Sequence, residues 1–135
     1  MFKLFLVTPE QKIVTDQEIE EITLPGNKGQ LNILPGHAPL MTTLEPGILT
    51  YKLKGVDGNP KVAVSWGYCQ VTSDTVTVLA ETAENKESVD VQSNKKELEA
   101  AESKLISEEL DDQSWTRTQH EIARLKAEIE LKESH

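Results

Sequence analysis

Residues 24–40 read Leu-Pro-Gly-Asn-Lys-Gly-Gln-Leu-Asn-Ile-Leu-Pro-Gly-His-Ala-Pro-Leu, and this stretch decides how the first part of the chain folds. Its two Pro-Gly pairs are turn formers, because proline fixes φ and glycine accepts positive φ angles. The segment between them, Gln30–Leu34, is too short for a helix and has the length of a strand. A stretch this rich in proline and glycine presents a stiff surface that suits docking better than catalysis. A set of tight turns without a partner is the alternative interpretation.

Short strands separated by turns continue on both sides of this stretch. Val62 and Val64 alternate with small or polar neighbours, as do Val76 and Val78, and a period of two marks strands with one buried face. Many short strands at this spacing predict a β-sandwich or barrel. The predicted strands are Lys3–Val7, Lys12–Thr15, Ile19–Leu24, Gln30–Leu34, Leu40–Leu44, Ile48–Leu53, Lys61–Ser65, Tyr68–Thr72 and Thr75–Leu79.

The composition changes sharply along the chain. All seven glycines and all six prolines lie at or before Gly67. Residues 1–84 carry 16 charged side chains, whereas the 51 residues from position 85 onward carry 21. This shift predicts an all-β domain, residues 1–84, followed by a helical domain, residues 85–135.

The helical domain has the periodicity of two heptad seams, separated by residues 107–114. Asp111 and Asp112 can cap the second helix. Because each seam is too narrow to be stable alone in water, an antiparallel helical hairpin is predicted. Asn94 and Thr118 take the remaining seam positions, where they either fix the register or weaken the pairing. The seam residues are Val91, Leu98, Ala101 and Leu105 in the first helix and Trp115, Ile122, Leu125 and Ile129 in the second.

Charge and hydropathy exclude several classes of partner. The 135 residues include 23 acidic and 14 basic side chains, for a net charge of −9. Nucleic acid and anionic membrane surfaces both require clustered lysine and arginine, so neither is an expected partner. No apolar run approaches the roughly 20 residues that span a bilayer, and no direct membrane insertion is expected. A chain without a secretory signal and with one cysteine is expected in the cytosol.

The sequence contains no catalytic motif. P-loop, GxGxxG, HExxH, CxxC and GxSxG patterns are all missing. Cys69 lies in a predicted strand without a cationic neighbour in sequence, which favours a small buried hydrophobe over a nucleophile. His37, His120 and His135 lack metal-ligand spacing. We therefore expect no catalytic residue, metal or cofactor.

Arg117, Glu121, Arg124 and Glu128 follow one another at helical spacing on one face of the second helix. The favoured interpretation is a ladder of charges that neutralise one another. A basic patch that binds an acidic partner helix is the alternative.

The stretch 24–40, followed by Leu44-Glu45-Pro46-Gly47, resembles a signature of the epsilon subunit of the rotary ATP synthase. The closing strand of the β domain, residues 74–84, is also similar to that family. The resemblance covers the whole chain and is least specific in the hairpin. It implies an α+β fold, with an amino-terminal β-sandwich of about ten short strands followed by an antiparallel α-helical hairpin.

The resemblance also implies a non-catalytic subunit of the central rotor, in which the sandwich binds the gamma subunit and rests on the c-ring. The hairpin would extend toward the alpha and beta subunits and oppose ATP hydrolysis. The absence of a transit peptide favours a bacterial or plastid origin. The expected location is peripheral, on the cytoplasmic face of a bacterial inner membrane, with the stromal face of the thylakoid as the alternative.

The family's contact residues are carried over position by position. One departure is Gln30, where relatives often carry a glutamate that faces the c-ring. Arg117 and Arg124 are the candidates for pairing with the beta subunit. The candidate residues are Lys28, Gly29, Gln30 and Leu31 for the c-ring, and His37, Pro39 and Met41 for gamma.

A second departure concerns a nucleotide motif, Ile/Leu-Asp-X-X-Arg-Ala, found in some relatives. Here the segment reads Val89-Asp90-Val91-Gln92-Ser93-Asn94, so the aspartate is kept and the arginine is replaced by Ser93. Serine cannot supply a permanent planar charge for phosphate oxygens. ATP binding is expected to be absent or weaker than about millimolar because the neighbouring side chains are acidic.

Two other function classes stay open from the residues alone. The chain could be a generic interaction module whose helical tail recruits an unrelated partner, and co-purification of gamma would discriminate against that class. It could also be an enzyme, but a nucleophile and base at suitable spacing are missing.

Overall fold

The structure, a computed structural model, describes residues 2–36 and 38–133. A short 3₁₀ turn, Lys86–Ser88, separates ten strands from two α-helices in this part of the chain. The predicted β-sandwich of about ten strands with two packed helices behind it is confirmed. The elements are β1 (Phe2–Val7), β2 (Lys12–Ile19), β3 (Glu21–Gly26), β4 (Gly29–Ile33), β5 (Leu40–Leu44), β6 (Gly47–Lys52), β7 (Lys61–Val64), β8 (Gly67–Val71), β9 (Thr75–Ala80), β10 (Ala83–Asn85), α1 (Val91–Ser107) and α2 (Asp112–Glu133).

The strands form one hydrogen-bonded sheet in the order β10-β7-β6-β3-β5-β8-β9-β1-β2, with β4 paired to β3. A single Cα pair, Gly26↔Leu44, joins β3 to β5. The sheet therefore divides at this point into two halves, and their inner faces enclose the core. Aliphatic side chains from both halves are fully buried there, and each contributes about 1.5–3 kcal/mol of hydrophobic stabilisation. They include Leu4, Leu6, Ile22, Leu24, Ile33 and Leu49.

Two parts of the sheet differ from the sequence prediction. β2 continues past Thr15 to Ile19, and its pairing with β1 is irregular between Leu4 and Leu6. Asp16 has a φ of 54° near this irregularity, and its Oδ1 lies 3.1 Å from Lys3 Nζ. The alternation that reveals a strand is interrupted by such a bulge. The sequence does not predict β10, because three residues are too few to show a period.

The helices are capped by aspartates. Asp111 Oδ1 accepts a hydrogen bond from Ser114 N at 2.7 Å, which confirms Asp111 as a cap. The same hydrogen bond holds the pKa of Asp111 below its ordinary value. Asp90 caps α1 in the same way, through Ser93 N. Asp112 is the first residue of α2.

The hairpin lies on the outer face of β6 and β7. Leu131 of α2 is fully buried in a small cluster with Val89 and Ala63, against which Ile48 packs. The rings of Trp66 and His120 stack with centroids 4.0 Å apart, and Lys132 Nζ donates a 2.8 Å hydrogen bond to Lys86 O. The hairpin is therefore folded back onto the sandwich. Within residues 2–36 and 38–133, no helix is long and apolar enough to cross a membrane.

Candidate functional site

The four residues predicted to face the c-ring lie at the turn between β3 and β4. In this hairpin Gly26 pairs with Gly29 and Pro25 with Gln30. Lys28, Gly29 and Gln30 are exposed together, and Gly29 has a φ of 106°, which favours glycine. Leu31 is only half-buried and packs against the core. Three of the four residues are thus open to a partner, two of them through a side chain, and their role stays a prediction.

The residues predicted to face gamma lead into β5. Met41 is 68% exposed, and Pro39 is exposed just before the strand. His37 lies outside the described residues. A single exposed methionine is ordinary, so what matters is whether other exposed apolar side chains adjoin it.

Met41 belongs to a larger apolar surface that sequence reasoning missed. The register aligns Met41 with Gln70 of β8, Gln70 with Thr77 of β9, and Thr77 with Phe5 of β1. The next row outward aligns Thr43, Tyr68, Leu79 and Val7. Tyr68 is 56% and Leu79 50% exposed, and both rows are uncharged across β5, β8, β9 and β1, while Lys12 of β2 follows Val7 at the edge. We call Phe5, Met41, Tyr68 and Leu79 the outer patch.

A signal for the outer patch is present in the sequence. Inward positions of β8 and β9, such as Cys69 and Val78, are apolar, as in any strand with one buried face. The outward positions of such a strand are usually charged or strongly polar. Here Tyr68 and Leu79 take outward positions directly opposite each other. Their pairing depends on the register, which single-strand periodicity does not give.

The helical seam is partly as predicted. Ala101, Ile122 and Leu125 are buried, whereas Val91, Leu98, Leu105 and Ile129 are half-buried. Trp115 is 45% exposed, so its assignment to the seam is wrong. It lies in the first turn of α2, at the end of the hairpin where the loop joins the two helices. The buried seam of α2 begins instead at Thr118 and extends to Leu131. The heptad pattern did not include Leu131.

The charged ladder on α2 is not continuous. Arg124 Nη1 lies 2.8 Å from Glu128 Oε2, but Glu128 is only 5% exposed and turns inward. Its other oxygen, Oε1, accepts a 3.0 Å hydrogen bond from Asn94 Nδ2 on α1. Arg117 is exposed and makes no ion pair shorter than 4 Å with the described residues. The predicted neutralisation is therefore present between Arg124 and Glu128, but it does not continue to Arg117, and Glu128 also makes a buried contact with α1.

The degenerate nucleotide segment has its own internal contacts. The Asp90 carboxylate accepts from Ser93 N at 3.2 Å and so caps α1. Glu84, just upstream, accepts a 2.6 Å hydrogen bond from Ser88 Oγ. Both carboxylates are therefore engaged with their own chain segment. Across the described ranges, no three His, Cys, Asp or Glu side chains form a group that could hold a metal ion.

Cys69 is fully buried in β8, as expected of a small hydrophobe. Burial raises the pKa of the Cys69 thiol from 9.0 to about 12, because the thiolate loses its hydration. Since the folded pKa is the higher one, the folded state disfavours the thiolate that the unfolded chain forms above pH 9.

Below about pH 8 the thiol is protonated in both states, so Cys69 should not change the free energy of unfolding. Between pH 9 and about 12 its ionisation in the unfolded chain should lower the free energy of unfolding. Urea unfolding at pH 7, 9 and 10.5 would measure this loss. The Cys69→Ala variant supplies the control, because it keeps every other group that titrates in this range. An equal decline in both proteins would contradict the assignment to Cys69.

Comparisons with known proteins agree with this architecture. The family described as the beta-sandwich domain of the ATP synthase Delta/Epsilon chain matches residues 1–86. The ATP synthase epsilon chain of Bdellovibrio bacteriovorus is 46% identical over 131 residues, which cover 97% of this chain and 94% of that relative. An epsilon chain of Geobacter metallireducens is 42% identical over 122 residues, or 90% and 86% of the two chains. A chain of the Euglena gracilis mitochondrial ATP synthase shares the fold, with a TM-score of 0.81, 24% identity, and coverage of 93% and 78%.

Proposed function

The chain belongs to the family of ATP synthase epsilon chains, which are non-catalytic subunits, and we propose on this premise that it joins gamma to the c-ring in the central stalk. The location would be peripheral, on the cytoplasmic face of a bacterial inner membrane. The alternative, the stromal face of a thylakoid, is less favoured because the epsilon chains that resemble this one at 42–46% identity are bacterial.

The outer patch carries the proposal. Met41, Tyr68 and Leu79 are exposed and Phe5 is half-buried, and these uncharged side chains lie outside the buried core of the sandwich. Exposed apolar surface of this kind marks a protein interface. Gamma would cover the outer patch, with Pro39 at its margin, and the c-ring would meet the tip at Lys28, Gly29 and Gln30. The hairpin covers β6 and β7 in the other half of the sheet and so leaves the outer patch open.

The Met41→Asp variant tests the gamma interface in the full chain. A carboxylate at Met41, on the β5 side of the outer patch, must lose its hydration on binding, so capture of gamma should fall by about tenfold or more. The matched control is Val56→Asp, since Val56 is 53% exposed but lies on the loop between β6 and β7. Pull-down of purified gamma by each variant measures the effect. Equal capture by Met41→Asp and Val56→Asp would exclude the outer patch as the interface.

We propose further that the hairpin regulates hydrolysis by leaving the sandwich. In the folded arrangement α2 is held by Leu131, the Trp66–His120 stack and the Lys132 hydrogen bond. Four seam side chains, Val91, Leu98, Leu105 and Ile129, are only half-buried, so the folded and extended arrangements can differ by a few kcal/mol. The extended hairpin would contact the alpha and beta subunits, and the exposed Arg117 is available to pair with acidic side chains there. Arg124 could do so only after its contact with Glu128 opens.

Nucleotide is not part of this mechanism. Asp90 and Glu84 are occupied by their own hydrogen bonds, and Ser93 supplies no cation for phosphate oxygens. We expect isothermal titration calorimetry of the purified subunit with ATP to show no binding, or binding weaker than about millimolar. A micromolar dissociation constant would contradict this. The Ser93→Arg variant is the informative companion, because it restores the missing guanidinium.

A further inference from the structure

We propose that the contact between Asn94, Glu128 and Arg124 is the element that keeps the hairpin in register and also keeps it releasable. As a regulatory role, this rests on the proposed departure of the hairpin from the sandwich. The energetic role concerns the isolated subunit and can be tested without the rest of the complex.

This contact is a polar cluster in which Asn94 and Glu128 are buried and the Arg124 side chain is 30% exposed. Asn94 lies in the first turn of α1 and is 9% exposed, and Glu128 lies near the end of α2 and is 5% exposed. Asn94 Nδ2 donates to Glu128 Oε1 at 3.0 Å, and Arg124 Nη1 donates to Glu128 Oε2 at 2.8 Å. Both carboxylate oxygens are thereby satisfied. The nearby seam residues Leu125 and Leu131 are fully buried, so the surroundings are apolar.

The cluster specifies the register of the two helices. If α1 slid by one turn, about 5.4 Å, Asn94 would no longer reach Glu128. The carboxylate would then be buried with one donor instead of two, which is unfavourable in apolar surroundings. A purely apolar seam, by contrast, tolerates a one-turn slip, because leucine and isoleucine contacts are not directional.

The cluster also limits how stable the folded hairpin can be. A buried carboxylate loses its hydration, and its partners repay this loss only in part. Replacing such a cluster with well-packed apolar side chains is often neutral or stabilising, whereas removing one partner is strongly destabilising. Glu128 lies three residues before Leu131, the side chain that anchors α2 to β6 and β7. Opening the cluster would therefore loosen the anchor at the same end of α2.

A second interhelical contact provides the comparison. Lys95 Nζ lies 3.4 Å from Glu133 Oε1, and the two side chains are 58% and 55% exposed. Lys95 directly follows Asn94 on α1, and Glu133 lies beyond Glu128 toward the end of α2, so this pair joins the same two helices. An exposed ion pair contributes little, because water and salt screen it. The two pairs thus differ in burial while sharing their location.

A double-mutant cycle on the full-length subunit tests the proposal by hydrogen exchange of the α1 amides. The variants are Asn94→Leu, Glu128→Leu and the double substitution, with Lys95→Ala, Glu133→Ala and their double substitution as the control cycle. Each single change in the cluster should speed α1 exchange by about tenfold or more, since it leaves a buried polar group without its partner. The double variant should exchange no faster than the natural protein, while the control variants should change exchange by less than about threefold.

Additive free energies in the cluster would overturn the proposal. In that case the fold-change in exchange rate of the double variant would equal the product of the fold-changes of the two single variants. Slow β8 amides report whether the sandwich stays folded in each variant. If Glu128→Leu unfolds the whole hairpin, Glu128→Gln keeps the cycle usable, because its amide oxygen still accepts from Asn94. The α1 amides of Glu128→Gln should then exchange at a rate between those of the natural protein and of Asn94→Leu. A rate equal to that of the natural protein would contradict a role for the charge.

The outcome is independent of the proposed function. Additive effects in the double-mutant cycle would disprove the role of the cluster even if the tail inhibits hydrolysis. An unchanged hydrolysis rate on tail deletion would remove the inhibitory tail even if the cycle shows coupling.

Discussion

Deletion of every residue after Glu87 is expected to raise ATP hydrolysis by the reassembled synthase several-fold while leaving gamma binding unchanged. The deletion removes α1 and α2, the only described elements that could extend away from the sandwich. It leaves the outer patch untouched, because that surface lies on β1, β5, β8 and β9 and the hairpin covers β6 and β7. Hydrolysis should be measured at low and high ATP, together with capture of gamma.

The Leu131→Asp variant should have the opposite effect on hydrolysis. A carboxylate at this fully buried position opposes docking of α2 on Ala63 and Ile48, so the hairpin is released while still present. Hydrolysis should therefore fall below that of the unmodified complex. Release would also separate the Trp66–His120 stack and change Trp66 fluorescence, which is best followed in a Trp115→Phe background.

The two variants together decide between a switch and a brace. Glu133→Ala is the matched control, because Glu133 lies on the same turn as Leu131 but its side chain is 55% exposed. A tail that inhibits when released requires hydrolysis to rise on deletion and to fall on Leu131→Asp. If the rate is the same for the full chain, the deletion and Leu131→Asp, the hairpin serves only as a brace.

The fold is largely predictable because its signals are local. In β9 the buried Val76 and Val78 alternate with the more exposed Thr75 and Thr77, and burial follows that period. The loss of glycine and proline after Gly67 indicates the helices in the same direct way, although the division at residue 85 stays a prediction. The features that sequence periodicity misses are those that break a period, such as the irregular pairing near Asp16 and the three residues of β10.

The candidate site is less predictable because it depends on which elements meet. Family resemblance points to Met41, but its neighbours Tyr68 and Leu79 become visible only through the strand register. In the hairpin, the heptad pattern cannot predict that Trp115 is exposed and Thr118 buried. Both residues lie at seam positions, and the pattern of one helix does not indicate where the partner helix ends. The sequence places Glu128 on the surface because carboxylates are rarely buried without partners. Its partner Asn94 lies 34 residues away in sequence.

The Gly67→Ala variant is expected to be strongly destabilising. Gly67 opens β8 and pairs with Ala80 of β9. A Cβ at this position would overlap the carbonyl oxygen of Leu79, and it would lie 2.8 Å from the Leu79 carbonyl carbon and 2.9 Å from Ala80 Cα. These are backbone atoms, so no rotamer change can relieve the overlap, and the two strands must separate locally. We expect a loss of about 3 kcal/mol or more in the free energy of unfolding.

Gly58→Ala separates this steric effect from the conformational preference of glycine. Gly58 has a φ of 81°, but a Cβ there would meet nothing within 4 Å, so about 1–2 kcal/mol is expected from the left-handed backbone alone. Urea unfolding of both variants measures the difference. Because Tyr68 and Leu79 adjoin the overlap, Gly67→Ala should also weaken gamma capture under conditions where the chain is still folded, whereas Gly58→Ala should not. Equal stability losses in the two variants would show that β8 and β9 adjust to the added methyl group, and the close approach of these strands would then not be what shapes the outer patch.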